Sequence, residues 1–222
     1  MKIVAGIFGL AVILSIGAFF LFANSNTASV IQTSDTNPPS AIRYEIDAAR
    51  SSFFVKASRG GIAFFKGHDH RIAVRDFSGT AELTLDAITP ASLSLTIKSA
   101  SLEETNDGYT PQQKGIINKE LEEIVLETAK YPEITFKSTD VNGFWKDGKY
   151  ELNIGGNITL HGVTKHIVIP AIVSLEDDVL RAKGEFDIER SKFNVKAPSA
   201  FHGTVRVKNK LKFTFDIVGK RG

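Results

Sequence analysis

The densest group of chemically capable side chains in this sequence is Gly67-His68-Asp69-His70-Arg71. Histidines two apart on a strand project from one face, so His68 and His70 could ligate a metal ion together. A zinc site takes three or four placed ligands, and the others would have to come from His161, His166 or His202. The cluster offers a second chemistry. Together with Arg59, the side chains of His68, His70 and Arg71 could meet an anionic head group through charge-assisted hydrogen bonds. In a third reading, one histidine bonds within the Gly-rich loop and only fixes its path. His161, inside Leu160-His161-Gly162-Val163, is expected to tie a tight hairpin.

Bond-making chemistry has little to work with. Cysteine is absent, which excludes a disulfide framework, thiolate metal sites and a thiol nucleophile. Ser191 follows Arg190 without the Gly-x-Ser-x-Gly elbow that exposes a nucleophile. Asp69 between two histidines is no triad without a placed serine, and no phosphate-cradling glycine loop is present. The chain reads as a protein without catalysis and without a cofactor. Its 27 basic and 25 acidic residues, net charge +2, are interspersed along the sequence. That pattern lacks the basic stripe of a nucleic-acid binder. Sixteen Phe against four Tyr and one Trp favour a dry apolar interior, because a Phe ring needs no hydrogen-bond partner.

The elements that must position these groups are strands. From Ala91 to Ala100, Leu93, Leu95 and Ile97 alternate with Ser92, Ser94, Thr96 and Lys98, the mark of a strand with one wet and one apolar face. The rhythm returns at Ala81–Leu85, Ile134–Phe136, Leu152–Leu160, Phe186–Ile188, Val205–Val207 and Leu211–Ile217. So many half-buried antiparallel strands require a sandwich or a closed barrel. Tyr44–Asp47 and Phe53–Ala57 read as strands interrupted near Arg50-Ser51, and Asp147-Gly148 as a two-residue hairpin turn. Asp177-Asp178 and Asn209 are expected to be turns, and Gly155-Gly156 to mark a bulge inside a long strand. One segment has another period. Thr110-Pro111-Gln112-Gln113 combines an N-cap hydroxyl, a first-turn proline and a capping-box glutamine. Ile117, Leu121, Ile124 and Val125 then predict an amphipathic helix over Gln112–Thr128 that could cover a barrel mouth or simply pack against the wall.

Residues 1–23 are read as a signal anchor or signal peptide. Ile3–Ala23 carries no charge and matches the ~20 residues of a membrane span, with the positive N-terminus retained in the cytoplasm and the body exported. The expected location is periplasmic or otherwise extracytoplasmic, tethered to the cytoplasmic membrane. Residues 24–41, rich in Ser, Thr and Asn, read as a flexible linker. Residues 42–220 form one domain.

Several runs in that domain resemble one family. Lys130-Tyr131-Pro132-Glu133-Ile134-Thr135-Phe136-Lys137-Ser138-Thr139 and Gly156-Asn157-Ile158-Thr159-Leu160-His161-Gly162-Val163-Thr164-Lys165 look like the signature of YceI-like proteins. Ile188-Glu189-Arg190-Ser191-Lys192-Phe193, Tyr44-Glu45-Ile46-Asp47 and Phe77-Ser78-Gly79 fit as well. Two family motifs are altered: Arg50-Ser51 stands where many members have His-Ser, and Lys114–Asn118 lacks an Arg-Asp-x-His-Leu pattern. The resemblance implies a lipocalin-like antiparallel eight-stranded β-barrel with one amphipathic helix. It also implies binding of a polyisoprenoid or other long lipid in the periplasm. On that implication the interior residues become a lumen lining: Phe53, Val55, Leu83, Leu85, Leu93, Leu95, Ile97, Ile134, Phe136, Ile158, Leu160, Phe186, Val205, Phe213 and Phe215. Taken singly, each is more often core packing than ligand contact, and the lining follows from the resemblance alone. The expected partners are the lipid and, through the N-terminal segment, the membrane, with no nucleic acid; a homo-oligomer is compatible. The alternatives are a metal-binding module built on His68 and His70, or a non-catalytic interaction protein of a membrane complex.

Overall fold

The structure is a computed structural model that describes residues 40–61, 68–85, 87–196, 199–200 and 205–222. The signal or anchor segment, nearly all of the linker, Gly67 and His202 lie outside the described residues.

The described strands are β1 (Ile42–Ile46), β2 (Ser52–Gly60), β3 (His70–Val74), β4 (Phe77–Thr84), β5 (Ile88–Lys98) and β6 (Leu102–Glu104). They continue with β7 (Glu133–Lys146), β8 (Lys149–Leu160), β9 (Val163–Glu176), β10 (Val179–Glu189), β11 (Ser199–Ala200) and β12 (Val205–Arg221). All pairings are antiparallel, and β1, β4, β5, β7, β8, β9, β10 and β12 form a closed ring because β1 pairs with both β4 and β12. The remaining long-sheet strands extend three of these staves. β2 follows β1 after a 3-10 turn at Ala48–Arg50, β3 precedes β4 across Arg75-Asp76, and β6 follows β5 after a 3-10 turn at Ser99–Ser101. The barrel is therefore eight-stranded, with three staves each broken once.

Local chemistry explains the breaks. The Asp47 carboxylate caps the first 3-10 turn by accepting from the Arg50 amide. The Ser51 hydroxyl donates to the Asp47 carbonyl at 2.6 Å and accepts from the Val218 amide at 2.9 Å, stapling the kink to β12. Asp147 and Gly148, with φ of 50° and 77°, make the β7–β8 turn, as the right-handed twist of hairpin strands demands. Gly155 and Gly156 face a bulge in β7 between Ser138 and Asp140; a Cβ on Gly156 would lie 2.5 Å from the Phe136 ring.

Two expectations are corrected. Asn209 makes no turn: β12 runs from Val205 to Arg221 with a register shift between Val207 and Leu211. Instead its side chain accepts from the Ser191 amide and donates to Glu189. Leu85 is not interior. The β4–β5 register shifts between Leu83 and Thr84, and Leu85 falls in the following turn, 39% exposed.

β9 and β10 pair only over Ile172–Glu176 and Val179–Lys183. Beyond that point a 3-10 turn at Arg190–Phe193 packs against β9 and buries Phe193, followed by buried Val195. The helix α1 (Pro111–Glu120) starts at Thr110, whose hydroxyl accepts from the Gln113 amide while Gln113 accepts from the Thr110 amide. It continues as a π turn at Leu121–Val125, closed by the Leu126 amide on the Leu121 carbonyl.

Candidate functional site

The inward faces of the staves enclose a cavity of about 280 Å³ rather than meeting in a solid core. Every interior candidate except Leu85 and Val205 lines it. Val205 sits in β12 opposite Ala200, but its side chain lies outside the described residues. Period two does the placing: Phe53, Val55 and Ala57 on β2 face the cavity, as do Leu93, Leu95 and Ile97 on β5. Phe186 stacks on Phe213 at 4.8 Å, and Phe53 meets Phe77, Phe213 and Phe215 edge-on or tilted.

The helix closes one end. Ile117, Leu121 and Val125 line the cavity, and the Asn118 side chain accepts from the Glu104 amide, fixing the helix to β6. Ile124, expected on the same apolar face, is 49% exposed. The π turn shifts the helical phase there, so Leu121 and Val125 point inward and Ile124 outward.

Polar groups gather at this end. His70 lines the cavity, and its Nδ1 is 2.7 Å from Oε2 of Glu104, a carboxylate only 1% exposed. The other oxygen of Glu104 accepts from the amides of Arg71 and Asn106 at 3.1 and 2.8 Å. Burial alone would raise this carboxyl's pKa, but the bonds from His70, Asn106 and Arg71 outweigh it and hold it below the usual carboxylate range. The Tyr109 ring stacks on His70, and burial pushes its phenol up.

The other head-group candidates separate. Arg71 is exposed on the outer face, because it pairs with Lys56 while the inward pairs are Val55–Ile72 and Ala57–His70. Its guanidinium lies 3.5 Å from the Phe54 ring centroid. His68 is exposed, edge-on to Tyr109. The Arg59 amide donates to Asp69, whose carboxylate also pairs with Lys56. The structure thus brings only His70 of this group to the cavity wall. Among the described residues no three His, Cys, Asp or Glu side chains converge as a metal site. His161 is buried at the β8–β9 turn with φ 51°, its Nε2 2.7 Å from Glu127 and its ring against Tyr131.

Three cavity-wall groups at this end were absent from the sequence-derived set: Glu120, Arg190 and Lys196. Arg190 was legible, since it continues the inward alternation of β10.

A closed eight-stranded antiparallel barrel with a largely apolar interior is an architecture wide enough either to be filled by side chains or to hold one small ligand. Within that architecture the YceI-like domain model matches residues 44–219. The chain belongs to the YceI-like family. It is 37% identical over 130 residues to Protein YceI of Escherichia coli O6:H1 (strain CFT073), covering 55% of this chain and 61% of that one. The chain thus spans about three fifths of that relative's length. Burkholderia cenocepacia BcnA superposes with a TM-score of 0.62 at 20% identity, over 78% of this chain and 98% of that one. A polyisoprenoid binding domain from Saccharophagus degradans superposes with a TM-score of 0.57 at 14% identity, over 82% and 99%. These two likenesses establish the shared fold.

Proposed function

We propose that the protein binds one long-chain amphiphile, a polyisoprenoid or related lipid, in its barrel lumen and sequesters or carries it outside the cytoplasm. The single observation that carries this reading is the apolar cavity of about 280 Å³ running between the inward faces of the staves. That volume lies near the small end of the ~300–1,000 Å³ of ligand sites, which suits one extended chain better than a bulky ring system. Each buried methylene contributes roughly 0.8 kcal/mol, so ten give about 8 kcal/mol before association costs are subtracted. The polyisoprenoid binding domain of Saccharophagus degradans, with the same fold, supports a prenyl-like chain. Among the described residues the lumen wall is mostly apolar side chains that offer binding surface, and the proposed role is binding. The reading includes export, with Ile3–Ala23 as a membrane anchor or signal, so that the carrier would work beside a bilayer.

A lumen-filling substitution tests the proposal. Ala182 lines the cavity, and Ala182→Phe inserts a ring into it. Delipidated wild-type protein is expected to bind the neutral apolar dye N-phenyl-1-naphthylamine with a rise in dye fluorescence. The variant should bind at least about tenfold more weakly, with a destabilisation of about 1–3 kcal/mol from overpacking. Failure of the wild type to bind, or equal binding by the folded variant, would overturn the reading.

A further inference from the structure

The inward row of β10 runs Leu180, Ala182, Gly184, Phe186, Ile188 and then Arg190, while Arg181, Lys183, Glu185, Asp187 and Glu189 between them are exposed. Period two therefore carries a guanidinium into a wall position of the lumen. Its Nη1 donates to the Val195 carbonyl at 3.0 Å and its Nη2 to the Val207 carbonyl at 3.5 Å. Its Nε is shielded from solvent and has no partner, and among the described residues no carboxylate pairs with this arginine.

Two carbonyl bonds hold the turn but leave a full positive charge uncompensated beside apolar surface, a costly arrangement unless an anion completes it. The acidic groups nearby do not serve. Both oxygens of Glu104 are taken by His70 and two amides. Glu120 stands on the half-exposed helix, and Glu82, bonded by Ser92, belongs to the opposite end of the staves. A second cation, Lys196, lines the same end.

We infer that the ligand carries an anionic group, a carboxylate or a phosphate monoester, that seats on Arg190 with its chain extending past Phe186 into the lumen. This rests on the lumen-binding reading and narrows its ligand class to acidic amphiphiles.

The experiment is calorimetric titration of the delipidated full-length protein with hexadecanoic acid, hexadecyl phosphate and hexadecan-1-ol, which share one chain length. A charge-assisted bond at a shielded site should make the wild type prefer at least one anion over the alcohol by about tenfold or more. The two anionic arms distinguish carboxylate from phosphate. Arg190→Gln should bring the ratio of anion to alcohol affinity close to one, and Arg190→Lys should restore part of the preference. Equal affinity for acid, phosphate and alcohol in the wild type would overturn the inference while the lumen still binds the neutral dye. Loss of dye binding as well would instead sink the lumen reading beneath it. Should Arg190→Gln fail to fold, wild-type selectivity alone decides.

Discussion

Glu104 shows how a single buried carboxylate organises the polar end of this barrel. It joins β3 to β6 through the Arg71 amide, orders the Asn106 turn, and orients the His70 ring against the lumen. Because its folded pKa lies below the ordinary range, its contribution is fully present above about pH 4.3. It is lost as pH falls through the lower folded value. Glu104→Gln should cost about 2–3 kcal/mol at pH 7, since an amide presents donors to donors. The acid limb of its stability curve should be correspondingly flatter. Urea unfolding of both proteins between neutral pH and pH 2 checks this; a variant as stable as wild type at pH 7 would refute the role. A second test concerns Gly156. Gly156→Ala places a Cβ 2.6 Å from the Lys137 carbonyl, so it should destabilise by about 1–3 kcal/mol through overpacking, read as a lower urea midpoint.

At the scale of elements, strand positions were legible because alternation is a two-residue signal that survives without tertiary knowledge. The lumen lining follows from the same signal, as Leu93, Leu95 and Ile97 illustrate. What period two alone could not convey were the register shifts. Leu85 leaves the interior because β4 and β5 slip at Leu83/Thr84, and Asn209 reads as a turn where β12 bulges. Ile124 leaves the apolar face for a related reason, since a π turn breaks the 3.6-residue phase. His68 and Arg71 stand beside His70 in sequence, yet strand geometry sends Arg71 to the opposite face. Arg190 was missed although the alternation from Leu180 to Ile188 leads straight to it, because a charged side chain at the end of an apolar row does not advertise itself as lining. The helix cap was written plainly in Thr110 and Gln113. Removing it in Thr110→Ala should cost about 1 kcal/mol and accelerate amide exchange in α1 while the barrel strands stay protected. Unchanged exchange in α1 would show that its contacts with the lumen, through Ile117, Leu121 and Val125, hold it without the cap.

At the largest scale, β1 closes the ring by pairing with both β4 and β12, while β6 and the first part of β9 keep a single partner strand among the described residues; eight staves leave a ring just wide enough for one slender guest. The helix and the Arg190 turn bring His70, Glu120, Arg190 and Lys196 to one end of the largely apolar barrel cavity, the end at which the head of the proposed amphiphile would sit. Mass spectrometry of the organic extract of protein purified from its native host tests this most directly. A long-chain amphiphile at close to one molecule per barrel, depleted in Ala182→Phe, is the expected result. A wild-type barrel that yields no lipid above the level of the filled variant would contradict it.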